Sequence, residues 1–160
     1  MPRANPKANV CSLEMLTTLS RVTEVLIVES NIGNEKSFTA LNCSLYTNLK
    51  QFEVGDYSMA YVDELDLVGL SKLERVVIGK RSFSKDKNRD GYNPHRHFCL
   101  KDCPLIRELK MGCGSFSDYS ICEIENVDRL EMIELGDLKE GSSSFCHANL
   151  ELRSECGERE

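Results

Sequence analysis

One spacing constrains this chain more than any other feature. An apolar residue is followed by two residues, an apolar, two, an apolar, two, an apolar, one and an apolar, and the pattern recurs five times. The copies are Leu16, Leu19, Val22, Val25, Ile27; Cys43, Tyr46, Leu49, Phe52, Val54; Leu67, Leu70, Leu73, Val76, Ile78; Leu100, Cys103, Ile106, Leu109, Met111; and Ile124, Val127, Leu130, Ile133, Leu135. All 25 positions are apolar, counting Cys and Tyr, in a chain that is 41% hydrophobic. Glycine follows four copies, at Gly55, Gly79, Gly112 and Gly136, and Val28 takes that place in the first. A Ser-Phe pair comes next at Ser37-Phe38, Ser82-Phe83, Ser115-Phe116 and Ser144-Phe145, with Ser58-Met59 in the second copy.

The spacing has a physical meaning. Apolar residues two apart, as in "FEVG" and "VVIG", put both side chains on one face of a short strand. Strands are predicted at 25–27, 52–54, 76–78, 109–111 and 133–135. A glycine directly after a strand permits a tight turn that a side chain would obstruct. The three-residue spacing before each strand suits a 3₁₀-like coil with an inward apolar side. A second period-two pair opens each unit (Leu41 and Cys43, Leu65 and Leu67, Phe98 and Leu100, Cys122 and Ile124) and predicts a second short strand on the opposite face. Gly55 to Gly79 and Gly112 to Gly136 are each 24 residues apart. A unit this short buries its apolar side only by stacking on its neighbours. The expected fold is mainly β with coil: a right-handed solenoid of about five stacked units with parallel strands. Long amphipathic helices are opposed by the glycines and the β-branched strand cores.

These residues resemble the leucine-rich-repeat family. "LSKLERVVIG" fits its Leu-x-x-Leu-x-x-Leu-x-Leu core. The "IGKRSF" and "CPLI" segments are most similar to the Ile-Gly/Ser-Phe variant of bacterial and protist surface proteins. The similarity spans residues 13–155, with 1–12 and 156–160 as tails, and departs from the commonest pattern in lacking the asparagine after the strand. It implies a non-catalytic protein–protein interaction scaffold that recognises a protein partner through the concave strand face. In the register above, that face carries Leu26, Glu53, Val77, Lys110 and Glu134 in one column, and Glu24, Gln51, Arg75, Glu108 and Met132 in the other. Leu26, Val77 and Met132 stand among charges, the mixture of apolar anchors and polar rim found at interfaces. Arg75 and Val77 fall near its centre. A second reading is a fragment of a cell-surface adhesion protein. "NLELRSECGERE" reads as the opening strand of a sixth unit, and no polar cap is visible at either end, so the sequence reads as a fragment or a chain whose ends are covered.

Gly79 to Gly112 is 33 residues, longer than the neighbouring units, and the surplus lies between Phe83 and Phe98. Residues 84–97 therefore read as an insertion in a solvated surface turn, carrying Lys85, Lys87, Arg89 and Arg96. Within it, Asp86, Asn88 and Asp90, followed by Gly91, match the opening of a calcium loop. A calcium-dependent binding module using residues 86–97 is thus a further alternative. The acidic twelfth residue is missing, however, and His97 stands there. His95, His97 and Cys99 with Cys103 would form a zinc set, but Cys103 aligns with the core positions Leu70 and Val127. The reading is therefore of no metal and no cofactor.

Composition narrows the function classes. A net charge of -6 disfavours nucleic acid and anionic membrane as partners, since both select a basic face. No apolar run reaches the length of a membrane span. The opening "MPRANPKANVCS" lacks the apolar core of a secretory signal. These point to a cytoplasmic chain, or an extracellular one if it belongs to a longer surface protein. Eight cysteines without a signal read as reduced, mostly buried thiols. The three histidines, with no nucleophile elbow and no phosphate-binding glycine loop, give no catalytic constellation, so no enzyme is expected. Cys113 and Cys146 are the candidates for exposed turn thiols.

Overall fold

A computed structural model describes residues 7–84, 93–136 and 149–153, with side chains described outside 93–95 and 149–152. The elements are β1 (Lys7–Val10), α1 (Leu13–Thr17), β2 (Val25–Val28), β3 (Ala40–Asn42), β4 (Gln51–Val54), β5 (Glu64–Val68), β6 (Arg75–Ile78), β7 (Asn93–Lys101), β8 (Glu108–Met111), β9 (Tyr119–Glu125), β10 (Met132–Leu135) and β11 (Asn149–Arg153). They form two parallel sheets. The first runs β1-β2-β4-β6-β8-β10 and the second β11-β9-β7-β5-β3. From β2 onward the chain passes alternately between the sheets, and Leu150 and Leu152 of β11 stand opposite Cys122 and Ile124 of β9.

The local pattern explains the elements. "QFEV", "RVVI" and "ELKM" each bury their second and fourth residues. Phe52, Val54, Val76, Ile78, Leu109 and Met111 meet Leu41, Leu65, Leu67, Phe98, Leu100, Cys122 and Ile124 of the other sheet in one hydrophobic core. Before the first-sheet strands, the N–H groups of Leu49, Leu73, Ile106 and Leu130 donate to carbonyls three residues earlier. These are the 3₁₀-like turns that the three-residue spacing predicts.

The first unit departs from the sequence register. Leu26 and Val28 stand opposite Phe52 and Val54 and are buried, whereas Val25 and Ile27 stand opposite Gln51 and Glu53 and face outward. A one-residue slip moves every side chain of a strand to the other face. Leu26, read as a partner-binding residue, is therefore a core residue at 0% exposure, and Val22 is exposed rather than a rung. Thr23 fills the rung that Leu49 and Leu73 fill later, its hydroxyl donating to the Ser20 carbonyl at 2.6 Å. The stretch read as an N-terminal tail, 1–12, contains β1, which pairs with β2. Ser12 caps α1 by accepting the Met15 N–H.

The glycines serve contact between turns. A Cβ on Gly79 would lie 2.5 Å from the Gly55 carbonyl carbon, and one on Gly112 would lie 2.7 Å from that of Gly79. Neither glycine has positive φ, so the missing side chain matters through close backbone approach rather than turn conformation. Positive φ recurs four residues further on, at Gly33, Met59, Phe83 and Phe116. This column shows that Ile32-Gly33, not Ser37-Phe38, is the first unit's counterpart of the Ser-Phe pair, since the Met59 N–H donates to Ile32 O as Phe83 donates to Ser58. The serines are buried staples: the Ser82 hydroxyl donates to Gly55 O at 2.6 Å and accepts the Ser58 N–H at 3.1 Å. Phe83 and Phe116 stack at 4.7 Å with rings 6° apart.

Candidate functional site

In the first sheet, the first and third residues of each strand face outward. The corrected columns are Ile27, Glu53, Val77, Lys110, Glu134 and Val25, Gln51, Arg75, Glu108, Met132. Of the residues read as partner-binding, Glu53, Arg75, Val77, Lys110, Met132 and Glu134 are brought together here, and Leu26 is not. Val25 and Ile27, missed in the sequence, replace it. The sequence held no signal to choose between them, because the four consecutive aliphatic residues of "VLIV" fit either register and no glycine follows in either. Arg75 sits at the centre, with Nε donating to Glu108 Oε2 at 3.0 Å and Nη1 to Glu53 Oε1 at 3.3 Å. Surface pairs of this kind contribute about 0–1 kcal/mol each. Their effect is to hold the guanidinium across three strands, on the face that also carries the half-buried Val77 and the exposed Met132.

The outward face of the second sheet has a different chemistry. Glu64 stands opposite His97, and Asp66 opposite Cys99, with Cys99 in turn opposite Glu123. Donor atoms of Glu64, Asp66 and His97 lie within 4.8 Å of one another, and His97 Nε2 is 3.5 Å from Asp66 Oδ1. Further along, Lys101 Nζ bridges Glu123 at 2.9 Å and Glu125 at 3.7 Å. Of the zinc set weighed from sequence, Cys103 is core at 0% exposure and is lost to it, and the side chain of His95 lies outside the described residues. The carboxylates of β5 were not foreseen, because their relation to His97 exists only through strand pairing.

The span read as a surface insertion, 84–97, is in part strand. Residues from Asn93 onward belong to β7, and Arg96 is 0% exposed, not solvated. Its Nη1 pairs with Asp118, its Nη2 donates to Ala60 O at 2.8 Å and Val62 O at 2.9 Å, and its Nε lies 3.1 Å from Asp63 Oδ1. The guanidinium carbon stands 4.7 Å over the Tyr119 ring. A charge can be buried this way because carboxylates and carbonyls replace its water. Asp86, Asn88 and Asp90, the calcium candidates, lie outside the described residues.

Of the six described cysteines, Cys43, Cys99, Cys103 and Cys122 are buried, and these four are free thiols. Burial pushes the Cys43 and Cys122 thiols up to about 12 and that of Cys103 to about 11, so they stay protonated and inert near neutral pH. Cys113 is partly exposed, and Cys146 lies outside the described residues. Among the described residues, no helix is long and apolar enough to cross a membrane. No known protein family, curated protein or solved structure matches the chain.

Proposed function

We propose that the protein is a non-catalytic interaction scaffold, a right-handed leucine-rich-repeat-like solenoid that binds a protein partner on the outward face of its first sheet. One observation carries this reading. In the corrected register, four of the ten outward positions on strands β2, β4, β6, β8 and β10 are apolar, namely Val25, Ile27, Val77 and Met132, and they share the face with an arginine already oriented by Glu53 and Glu108. Partly exposed aliphatic side chains beside a held guanidinium are what an interface core uses. A solenoid offers such a face repeatedly along its length. The calcium-binding and surface-adhesion alternatives gain no specific observation. The test is capture of a partner with the intact chain, followed by Arg75→Glu with Val77→Asp. Both side chains face outward, so the fold should survive, as circular dichroism can verify. Binding should fall by more than tenfold. Unchanged binding in the folded double variant would remove the strand face as the site.

A further inference from the structure

The second sheet places donors that the sequence keeps apart onto one square of its outward face. Glu64 and Asp66 come from β5, His97 and Cys99 from β7, and each carboxylate residue faces its partner directly across the strand pair. The alternation of a strand puts residues two apart on the same side, so all four project from one face.

Two geometric facts set this square apart from an ordinary acidic surface. First, the separation fits a metal. Zinc bonds of about 2.0–2.2 Å in tetrahedral geometry place neighbouring donors about 3.4 Å apart. The His97 Nε2 to Asp66 Oδ1 separation is 3.5 Å, and the Glu64 carboxylate is within 4.8 Å of both groups. A carboxylate on a flexible stem closes that remainder by side-chain rotation alone. Second, the His97 and Asp66 side chains are only 32% and 30% exposed, so these donors are partly withdrawn from solvent. The Cys99 sulfur, although on the same face, is not among the donors that lie within 4.8 Å of one another, so it stands outside the set.

We propose that Glu64, Asp66 and His97 bind one divalent ion of the zinc class, with solvent as the fourth donor. One imidazole and two carboxylates suit zinc better than magnesium or calcium, which select all-oxygen shells. A bound ion would tie β5 to β7 by their side chains as well as their backbones. That is a role independent of the first-sheet face, so either reading can fail without the other.

The experiment uses the full chain, freed of metal with a chelator, kept reduced, and titrated with zinc against a competing chromogenic chelator. One ion per chain is expected, with a rise in thermal midpoint on zinc addition, since a ligand that binds only the folded state stabilises it. His97→Ala should weaken binding by more than about a hundredfold, exceeding the loss from removing an outer-sphere partner, and should abolish the rise in midpoint. Asp66→Asn serves as the second variant, and Cys113→Ser, in a different turn, should change nothing. Metal-free circular dichroism confirms that each variant is folded. Failure to bind, or equal binding by the folded His97→Ala and Asp66→Asn variants (an adventitious ion only), overturns the site.

Discussion

Arg96 shows how a single residue changes meaning between sequence and structure. In "NPHRHF" it is one more base in a charged stretch, yet it is buried against Asp118, Asp63 and the Tyr119 ring. Removing one member of a buried ion pair leaves the other charge without its solvent or its partner, which costs about 3–5 kcal/mol. Asp118→Ala should lower the unfolding free energy by that order, measured from urea denaturation at neutral pH. A loss below about 1 kcal/mol would show that Asp63 and the carbonyls suffice. Gly79 gives a second prediction at this scale. The added methyl of Gly79→Ala would lie 2.5 Å from the Gly55 backbone, an atom that cannot move without displacing its strand. Overpacking of this kind costs about 1–3 kcal/mol. An alanine at Gly69, where nothing stands within 4 Å, meets no such obstacle, although its positive φ still favours glycine. The glycines were visible in the sequence, but the reason for them was not: "VGD" and "IGK" do not reveal that successive glycines lie against each other.

At the scale of the element, hydrophobic periodicity located the strands closely. The predicted 52–54, 76–78 and 109–111 are observed as Gln51–Val54, Arg75–Ile78 and Glu108–Met111. The pattern is reliable there because each strand opens on a polar residue, Gln51, Arg75 or Glu108, and in β4 and β8 a charged residue also separates the two apolar ones, so one register buries the larger apolar set. In β2, "VLIV" offers two equally apolar faces, and the choice between them falls to pairing with Phe52 and Val54. β10 keeps the inward register of Ile133 and Leu135 opposite Leu109 and Met111, with both side chains more than one-third exposed at the sheet edge. The middle of the ladder is fully enclosed. Leu73→Ala should therefore cost about 2–5 kcal/mol, because it empties a rung between Leu49 and Ile106 that the backbone cannot collapse to fill. The same substitution at Leu45, 55% exposed, should cost less than about 0.5 kcal/mol. Chemical denaturation of the two variants side by side checks the contrast.

For the whole molecule, the buried thiols predict how stability depends on pH. Cys43 and Cys122 are raised to about 12 and Cys103 to about 11 from an ordinary value near 9, and burial pushes the Tyr119 phenol up as well. Above pH 9 the unfolded chain releases these protons while the folded chain keeps them, so unfolding becomes progressively more favourable. The contribution is complete below pH 9 and is lost as pH rises through about 11–12. Urea midpoints under reducing conditions should fall from pH 8 to pH 11, and Cys43→Ala should flatten the decline even if it lowers stability at pH 8. An equal slope in that variant would assign the decline to other groups.

The sequence by itself determined that this chain is built from repeated short parallel strands, because periods of two and three and the recurring glycine are local properties that only stacked β units satisfy. It also placed most of the first-sheet outward face, since alternation along a strand is local too. Tertiary structure decided everything that depends on which residue stands beside which on a neighbouring strand. It set the register of β2, the burial of Arg96 among residues from two separate segments, and the meeting of Glu64 and Asp66 with His97 some 30 positions away. Strand pairing is a contact between distant parts of the chain, and its register is settled by the summed burial of both faces. No window of sequence contains that sum.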